Sequence, residues 1–170
     1  MNYADALAGV SLAKAMNAPI LLSNINELPA ETLKRLKATN VVILGGEGAV
    51  GEEVEKVLTN NKLNVERIAG ASRFETATKI AEKMQKLNGD KVPEDVFFVY
   101  YNGFADALSV SAVAAIKNAP IIYLKNKGSI DSATANYLKS VKGKVKNAYI
   151  IGGTGVVSDS HVQTVADACV

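Results

Sequence analysis

The chain repeats itself, and the repeat is uneven. Tyr3-Ala4-Asp5-Ala6-Leu7 returns as Phe104-Ala105-Asp106-Ala107-Leu108, and Asn17-Ala18-Pro19-Ile20 returns as Asn118-Ala119-Pro120-Ile121, both 101 residues later. Nine of the 20 pairs between Tyr3 and Leu22 are identical at that offset, so the fold must be one that can be built twice. After a six-residue insertion the match resumes at an offset of 107, with Gly45-Gly46-Glu47-Gly48-Ala49-Val50 over Gly152-Gly153-Thr154-Gly155-Val156-Val157. An apolar run, Val96-Phe97-Phe98-Val99-Tyr100-Tyr101, precedes the second copy, and Met1 stands where the first copy would need its counterpart. The first copy therefore reads as shortened at its amino end. We expect a partial repeat over residues 1–70 and a complete one over residues 71–170.

Short apolar runs alternate with helical patterns, which is the sequence mark of a parallel sheet joined by crossover helices. Strands are predicted near 19–23, 41–45, 65–69, 96–101, 120–124 and 147–151, and helices near 4–17, 29–38, 51–60, 73–88, 105–117, 130–141 and 158–168. The fold class is α/β, with tandem units of parallel sheet and crossover helix. Ser72-Arg73-Phe74-Glu75 has the form of a capping box, in which Ser72 serves the backbone N–H of Glu75 and the Glu75 carboxylate reaches back to Ser72. Phe74, Ala77, Ala81, Met84 and Leu87 follow as one apolar stripe. The helices near 4–17 and 105–117 are apolar nearly all round and rich in small residues, so each needs a cover on its outer side. Packing between repeats or between subunits is expected from them.

Composition removes several function classes. Nineteen Lys and Arg against seventeen Asp and Glu leave a formal charge of +2, without the basic excess of a nucleic-acid binder. One cysteine, Cys169, and one histidine, His161, cannot supply a tetrahedral metal site, and neither has partners for a nucleophilic triad. No run of about 18 apolar residues offers a membrane span. The first residues lack the charged start and apolar core of a leader. That fits a cytosolic protein and equally a secreted one without its leader.

The remaining motifs each carry two readings. Gly46-Glu47-Gly48-Ala49-Val50-Gly51 has the letter of a dinucleotide fingerprint, and Glu66 is a candidate for its acidic ribose ligand. The second copy replaces Gly51 by Ser158, which suits a helix N-cap but not the close helix-to-strand packing of a dinucleotide site. Nucleotide or phosphometabolite binding is the alternative function on this evidence. Gly45-Gly46 and Gly152-Gly153 end strands, where they offer backbone N–H groups to an anion or simply make tight turns. Asp5 and Asp106, in first helical turns, fit a local role toward free N–H groups better than catalysis. Arg67 and Arg73 flank Gly70, so they either clamp a phosphate or carboxylate or tie the units together through carbonyls and acids. Lys125, Lys127, Lys139, Lys142, Lys144 and Lys146 make a basic stretch that reads as a solvated face.

Taken in order, Arg67-x-x-Gly70-x-x-Arg73-Phe74-x-Thr76, Asn102-Gly103, Phe104-Ala105-Asp106-Ala107-Leu108, the Ala-Pro-Ile segments and Ile150-Ile151-Gly152-Gly153 resemble the cell wall binding repeat 2 of Gram-positive surface proteins. The resemblance covers essentially the whole chain. It implies a non-catalytic module with an α/β fold like the Toprim or Rossmann class, usually in three tandem copies. Such modules hold S-layer and other surface proteins, notably clostridial ones, to an anionic cell wall polymer. No cofactor and no metal are expected on that basis, and the location implied is a secreted one at the cell wall. Pro19-Ile20-Leu21-Leu22 matches the family's Pro-Ile-Leu-Leu motif, whereas the second copy reads Pro120-Ile121-Ile122-Tyr123. Expected ligand-binding residues are Arg67, Arg73, Pro19, Ile20, Leu21, Leu22, Pro120, Ile121, Gly45, Gly46, Gly152 and Gly153.

Overall fold

The central strand of the larger sheet comes from the most apolar run of the chain. In the computed structural model, which describes residues 3–126 and 128–169, the elements are α1 (Ala4–Ala8), α2 (Val10–Ala15), α3 (Ala30–Arg35), β1 (Asn40–Leu44), α4 (Glu52–Asn60), β2 (Asn64–Ile68), α5 (Arg73–Leu87), β3 (Asp95–Tyr100), α6 (Phe104–Ile116), β4 (Ile121–Leu124), α7 (Ser132–Val141), β5 (Asn147–Ile151) and α8 (Asp159–Cys169). All pairings are parallel: β1 with β2 in one sheet, and the order β4-β3-β5 in the other. The α/β class with helices between parallel strands is thus the architecture of the chain.

Both faces of β3 are buried, as a parallel strand covered by helices requires. Phe97 and Val99 join a core with α1, α2, α5, α6 and β4, while Val96 and Phe98 join another with α7, α8, β4 and β5. The first of these cores draws on residues of both repeats, so the copies share one interior. A smaller cluster of Ile43, Val54 and Leu58 lies between β1 and α4.

The expected strand at 19–23 is absent; these residues have no regular structure and no ladder partner and are largely exposed. Its counterpart β4 is held by β3, and among the described residues the first copy has no such strand to pair with. Without a ladder, Leu22 O accepts from Thr32 Oγ1 at 3.1 Å.

The helix expected over 4–17 divides at Gly9, although helical bonds continue through it from Gly9 N–H to Asp5 O and from Ala13 N–H to Gly9 O. A Cβ at Gly9 would sit 2.1 Å from Leu44 Cδ1, so the glycine allows the helix to lie against β1. α2 then packs on α6, its own repeat counterpart. Leu108, Val113 and Ile116 of α6 stay exposed.

The capping box forms with one change of partner. Ser72 Oγ accepts from Glu75 N–H at 3.3 Å, but Glu75 Oε2 accepts from Ala71 N–H at 2.8 Å, one residue earlier than expected. Of the predicted α5 stripe, Phe74, Ala77, Ala81 and Met84 are buried, while Leu87 at the helix end is exposed. In the basic stretch Lys125 pairs with Asp131 at 3.1 Å and Lys146 with Glu94 at 2.7 Å; Lys127 lies outside the described residues.

Candidate functional site

The strand ends expected to carry ligands are at the C-terminal edge of each sheet, and the two arginines there have different surroundings. Arg67, at the end of β2, donates from Nε and Nη2 to Glu55 Oε2 at 3.0 and 2.7 Å, and from Nη1 to the carbonyls of Gly45 at 2.9 Å and Val50 at 2.7 Å. Its fork is occupied by the turn and helix of its own repeat. Arg73, at the start of α5, donates from Nη1 to Tyr101 O at 3.3 Å, and its guanidinium carbon lies 5.5 Å from the Tyr101 ring centre. Among the described residues no carboxylate lies within ion-pair distance of Arg73. Of its five donors the bond to Tyr101 uses one.

Arg73 opens into a cavity of about 160 Å³ between the repeats, walled by Tyr3, Ala4 and Leu7 on one side and by Tyr101, Asn102, Gly103, Phe104 and Ala107 on the other, with Tyr123 among its lining. Tyr3 and Phe104, equivalent residues of the two copies, meet with ring centres 5.1 Å apart. Phe74 and Tyr101 meet at 5.6 Å, and Lys125 Nζ lies 5.5 Å from the Phe74 ring centre. Tyr123 Oη donates to Ala4 O at 2.5 Å, joining β4 to α1. This explains why the second copy has Tyr123 where the first has Leu22: the hydroxyl ties one repeat to the other. Burial, and secondarily the Asp5 carboxylate, push the Tyr123 phenol upward, so it stays a donor. The aromatic wall could not be read from one sequence, although the equivalence of Tyr3 and Phe104 is a signal in the repeat.

The other expected site residues lie apart from this cavity. Gly45 and Gly152 take φ of +110° and +138°, and a Cβ at Gly45 would come within 2.7 Å of Asp5 Oδ2. The carbonyl of Gly46 accepts from Ala49 and Val50, and that of Gly153 from Val156 and Val157, so both pairs close the same tight turn. In the loop of the nucleotide fingerprint these bonds, with Gly51 N–H to Ile25 O at 2.6 Å, use N–H groups that a phosphate would need. Pro19, Ile20, Leu21 and Leu22 lie in the exposed segment without regular structure, whereas Pro120 and Ile121 are buried at β4. His161 is buried, with Nδ1 3.2 Å from Ser158 N–H and Nε2 3.3 Å from Ser129 O. It clamps a loop to α8. Among the described residues no group of three His, Cys, Asp or Glu could hold a metal, and no helix is long and apolar enough to cross a membrane.

Asp5 is buried beneath the Gly45 turn. Burial raises its carboxyl above the ordinary value of 3.8, and the field of Arg73 pulls it partly back. The folded chain therefore holds this proton more tightly than the unfolded chain, so its stabilising contribution is whole below 3.8 and is lost as pH rises through the folded value. Asp5→Asn is expected to raise Tm at pH 7, with the gain shrinking toward pH 4. Thermal unfolding at the two pH values checks it; a lower Tm for the variant at pH 7 would show that the charge itself is stabilising there.

Residues 1–55 and 67–162 match the cell wall binding domain 2 (CWB2) family. The chain belongs to this family. The N-acetylmuramoyl-L-alanine amidase LytC of Bacillus subtilis (strain 168) is 36% identical over 164 residues, which is 94% of this chain and 31% of that protein. The amidase enhancer of the same organism is 33% identical over 168 residues, 97% of this chain and 22% of that protein. Among solved structures, Cwp8 and Cwp6 from Clostridium difficile superpose with TM-scores of 0.82 and 0.83 at 34% and 33% identity, covering 98% of this chain and 28% and 26% of theirs. The chain thus spans under a third of these relatives. What the family match carries is the role of a cell wall binding module and a place at the cell wall or surface.

Proposed function

We propose that the chain holds an anionic cell wall polysaccharide non-covalently, in the cavity at the strand ends, with Arg73 gripping the charged group. The observation that carries this is Arg73 itself, a guanidinium with spare donors and no carboxylate in ion-pair range among the described residues, set between aromatic walls. Charge-assisted, planar donors suit a phosphate or carboxylate, and the faces of Tyr3, Tyr101 and Phe104 suit the apolar face of a sugar. The volume of about 160 Å³ fits one charged sugar unit. It falls below the roughly 300 Å³ at which pockets for whole small-molecule ligands begin, which disfavours a dinucleotide. Binding one unit at a time is weak, and a polymer offers many units, so tandem repeats (residues 1–70 and 71–170 in our division) gain by multivalency. Such a module acts outside the membrane, as in S-layer and other surface proteins, and performs no chemistry.

The test is titration of purified wall polysaccharide. Wild type should bind, and less so as salt screens the charges. Arg73→Gln should weaken binding by about 10- to 100-fold, the worth of a charge-assisted bond of about 1.5–3 kcal/mol, with Tm little changed. Undiminished binding by Arg73→Gln would remove the proposed grip.

A further inference from the structure

The cavity between the repeats takes its charge from one side chain. Among its described lining residues only Arg73 is charged. The neighbouring cations are committed elsewhere: Arg67 to Glu55, Lys125 to Asp131 at 3.1 Å and Lys79 to Glu75 at 3.0 Å. The Tyr123 hydroxyl is spent on Ala4 O. Asp5 lies in α1 between Ala4 and Leu7, which form that side of the wall, and is only 9% exposed. Its Oδ1 has no hydrogen-bond partner among the described residues, a rare state for a buried carboxylate. The repeat counterpart, Asp106, stands at the opposite wall, where a Cβ on Gly103 would lie 3.0 Å from its Oδ2, and it is partly exposed. Buried groups that break the pairing rule at a cost in stability concentrate at functional sites.

We propose that Asp5 sets the charge selectivity of this cavity: its carboxylate, behind the wall, subtracts from the field of Arg73, so that singly charged groups are taken in preference to doubly charged ones and both are gripped harder once Asp5 is neutral. The proposal rests on the reading of Arg73 as the anion grip. Its physical reason is a difference in scaling. Attraction to the site grows in proportion to the ligand's charge, whereas the cost of drawing the ligand out of water grows with the square of that charge. A guanidinium with its full field can meet the larger cost; one with a partly cancelled field cannot. Burial keeps the share of Asp5 unscreened, while water screens the partly exposed Asp106. The two groups already feel each other in the free chain, where Arg73 pulls down a carboxyl that burial has raised. Acid should act as removal of the charge does. Toward Asp5 stand Arg73 from α5 and the Tyr123 hydroxyl from β4; α6 brings Asp106, α2 brings Lys14, and Arg67 holds the Gly45 carbonyl across the turn. The arginines keep their charge throughout. The folded Asp5 titrates above 3.8, and a bound anion raises it further, so affinity for a singly charged ligand climbs as pH falls toward that value.

The experiment follows the Arg73 Nε–Hε resonance of the full chain during titration with dimethyl phosphate, which is singly charged, and with methyl phosphate, which is doubly charged at about pH 8. We expect the wild type to favour dimethyl phosphate. Asp5→Asn should bind dimethyl phosphate roughly 5-fold tighter and methyl phosphate roughly 25-fold tighter, the square of the first gain, because the charge product doubles. Between about pH 8 and pH 4 the wild-type affinity for dimethyl phosphate should rise and that of Asp5→Asn stay nearly flat, a profile that a merely structural role for Asp5 would not produce. Asp106→Asn should change either affinity by less than about twofold. Equal gains for the two probes in Asp5→Asn, a wild type that favours methyl phosphate, or an effect of Asp106→Asn as large as that of Asp5→Asn would overturn the selectivity and leave Arg73 as the grip. An Arg73 resonance that moves with neither probe nor with wall polysaccharide would take down the grip itself, and the selectivity with it.

Discussion

Phe98→Ala is expected to cost about 3–5 kcal/mol, the usual range for emptying a large aromatic position in a core. Phe98 is fully buried on the central strand of the three-stranded sheet, among Val96, Ile122, Leu124, Tyr137, Leu138, Val141 and Val165. Those neighbours come from β3 itself, from the flanking strand β4 and from both α7 and α8, each fixed by its own contacts, so none can relax far into the hole. Against the roughly 5–15 kcal/mol of a whole domain, such a loss is about a fifth of stability or more. Urea unfolding should show the midpoint fall with little change in slope, since the surface exposed on unfolding is nearly the same. Leu22→Ala gives the contrast. Its side chain occupies the β4-like position of the first repeat but stands half in water, so the loss should stay under about 1 kcal/mol. A Phe98→Ala loss under 1 kcal/mol would mean that β3 is not the packed centre described above.

That contrast also marks where the sequence stops being legible. Apolar runs bounded by turn residues sufficed to place β1 to β5, although only β3 and β4 are buried on both faces and β1, β2 and β5 are partly exposed. The same rule misjudged 19–23, for a strand exists only with a partner, and the partner is not a property of the run itself. Gly9 was similarly silent: its use depends on Leu44, which approaches it only in the folded chain. The site was legible in kind but not in detail. The sequence placed Arg67 and Arg73 symmetrically around Gly70, and nothing within that stretch separates them. What separates them is Glu55, twelve residues before Arg67 on α4, and the aromatic wall built from Tyr3, Tyr101, Phe104 and Tyr123, which meet only when the repeats pack. Chemistry-bearing residue types can be read from a chain; which of them are already occupied depends on distant neighbours.

Arg67→Ala is the second large effect, and it falls on stability. The side chain is mostly buried and serves three acceptors at once, the Glu55 carboxylate and the carbonyls of Gly45 and Val50. Glu55 is partly exposed and can rehydrate when its partner goes. The Gly45 carbonyl belongs to a buried residue in a turn whose φ is fixed at +110°, so it cannot rotate toward water without undoing the turn. Leaving such a group unpaired costs about 1–3 kcal/mol, and with the loss of the ion pair the expected total is about 2–4 kcal/mol. Arg67→Lys should recover only part of it, because an ammonium on a flexible stem cannot hold a planar fork of three acceptors. A double-mutant cycle with Glu55→Gln separates the carboxylate's share from that of the carbonyls. If the loss in Arg67→Ala is already present in Glu55→Gln, the ion pair carries the effect; if Glu55→Gln is mild, the turn does. Arg67→Ala with unchanged stability and lost polysaccharide binding would instead move the anion grip from Arg73 to Arg67.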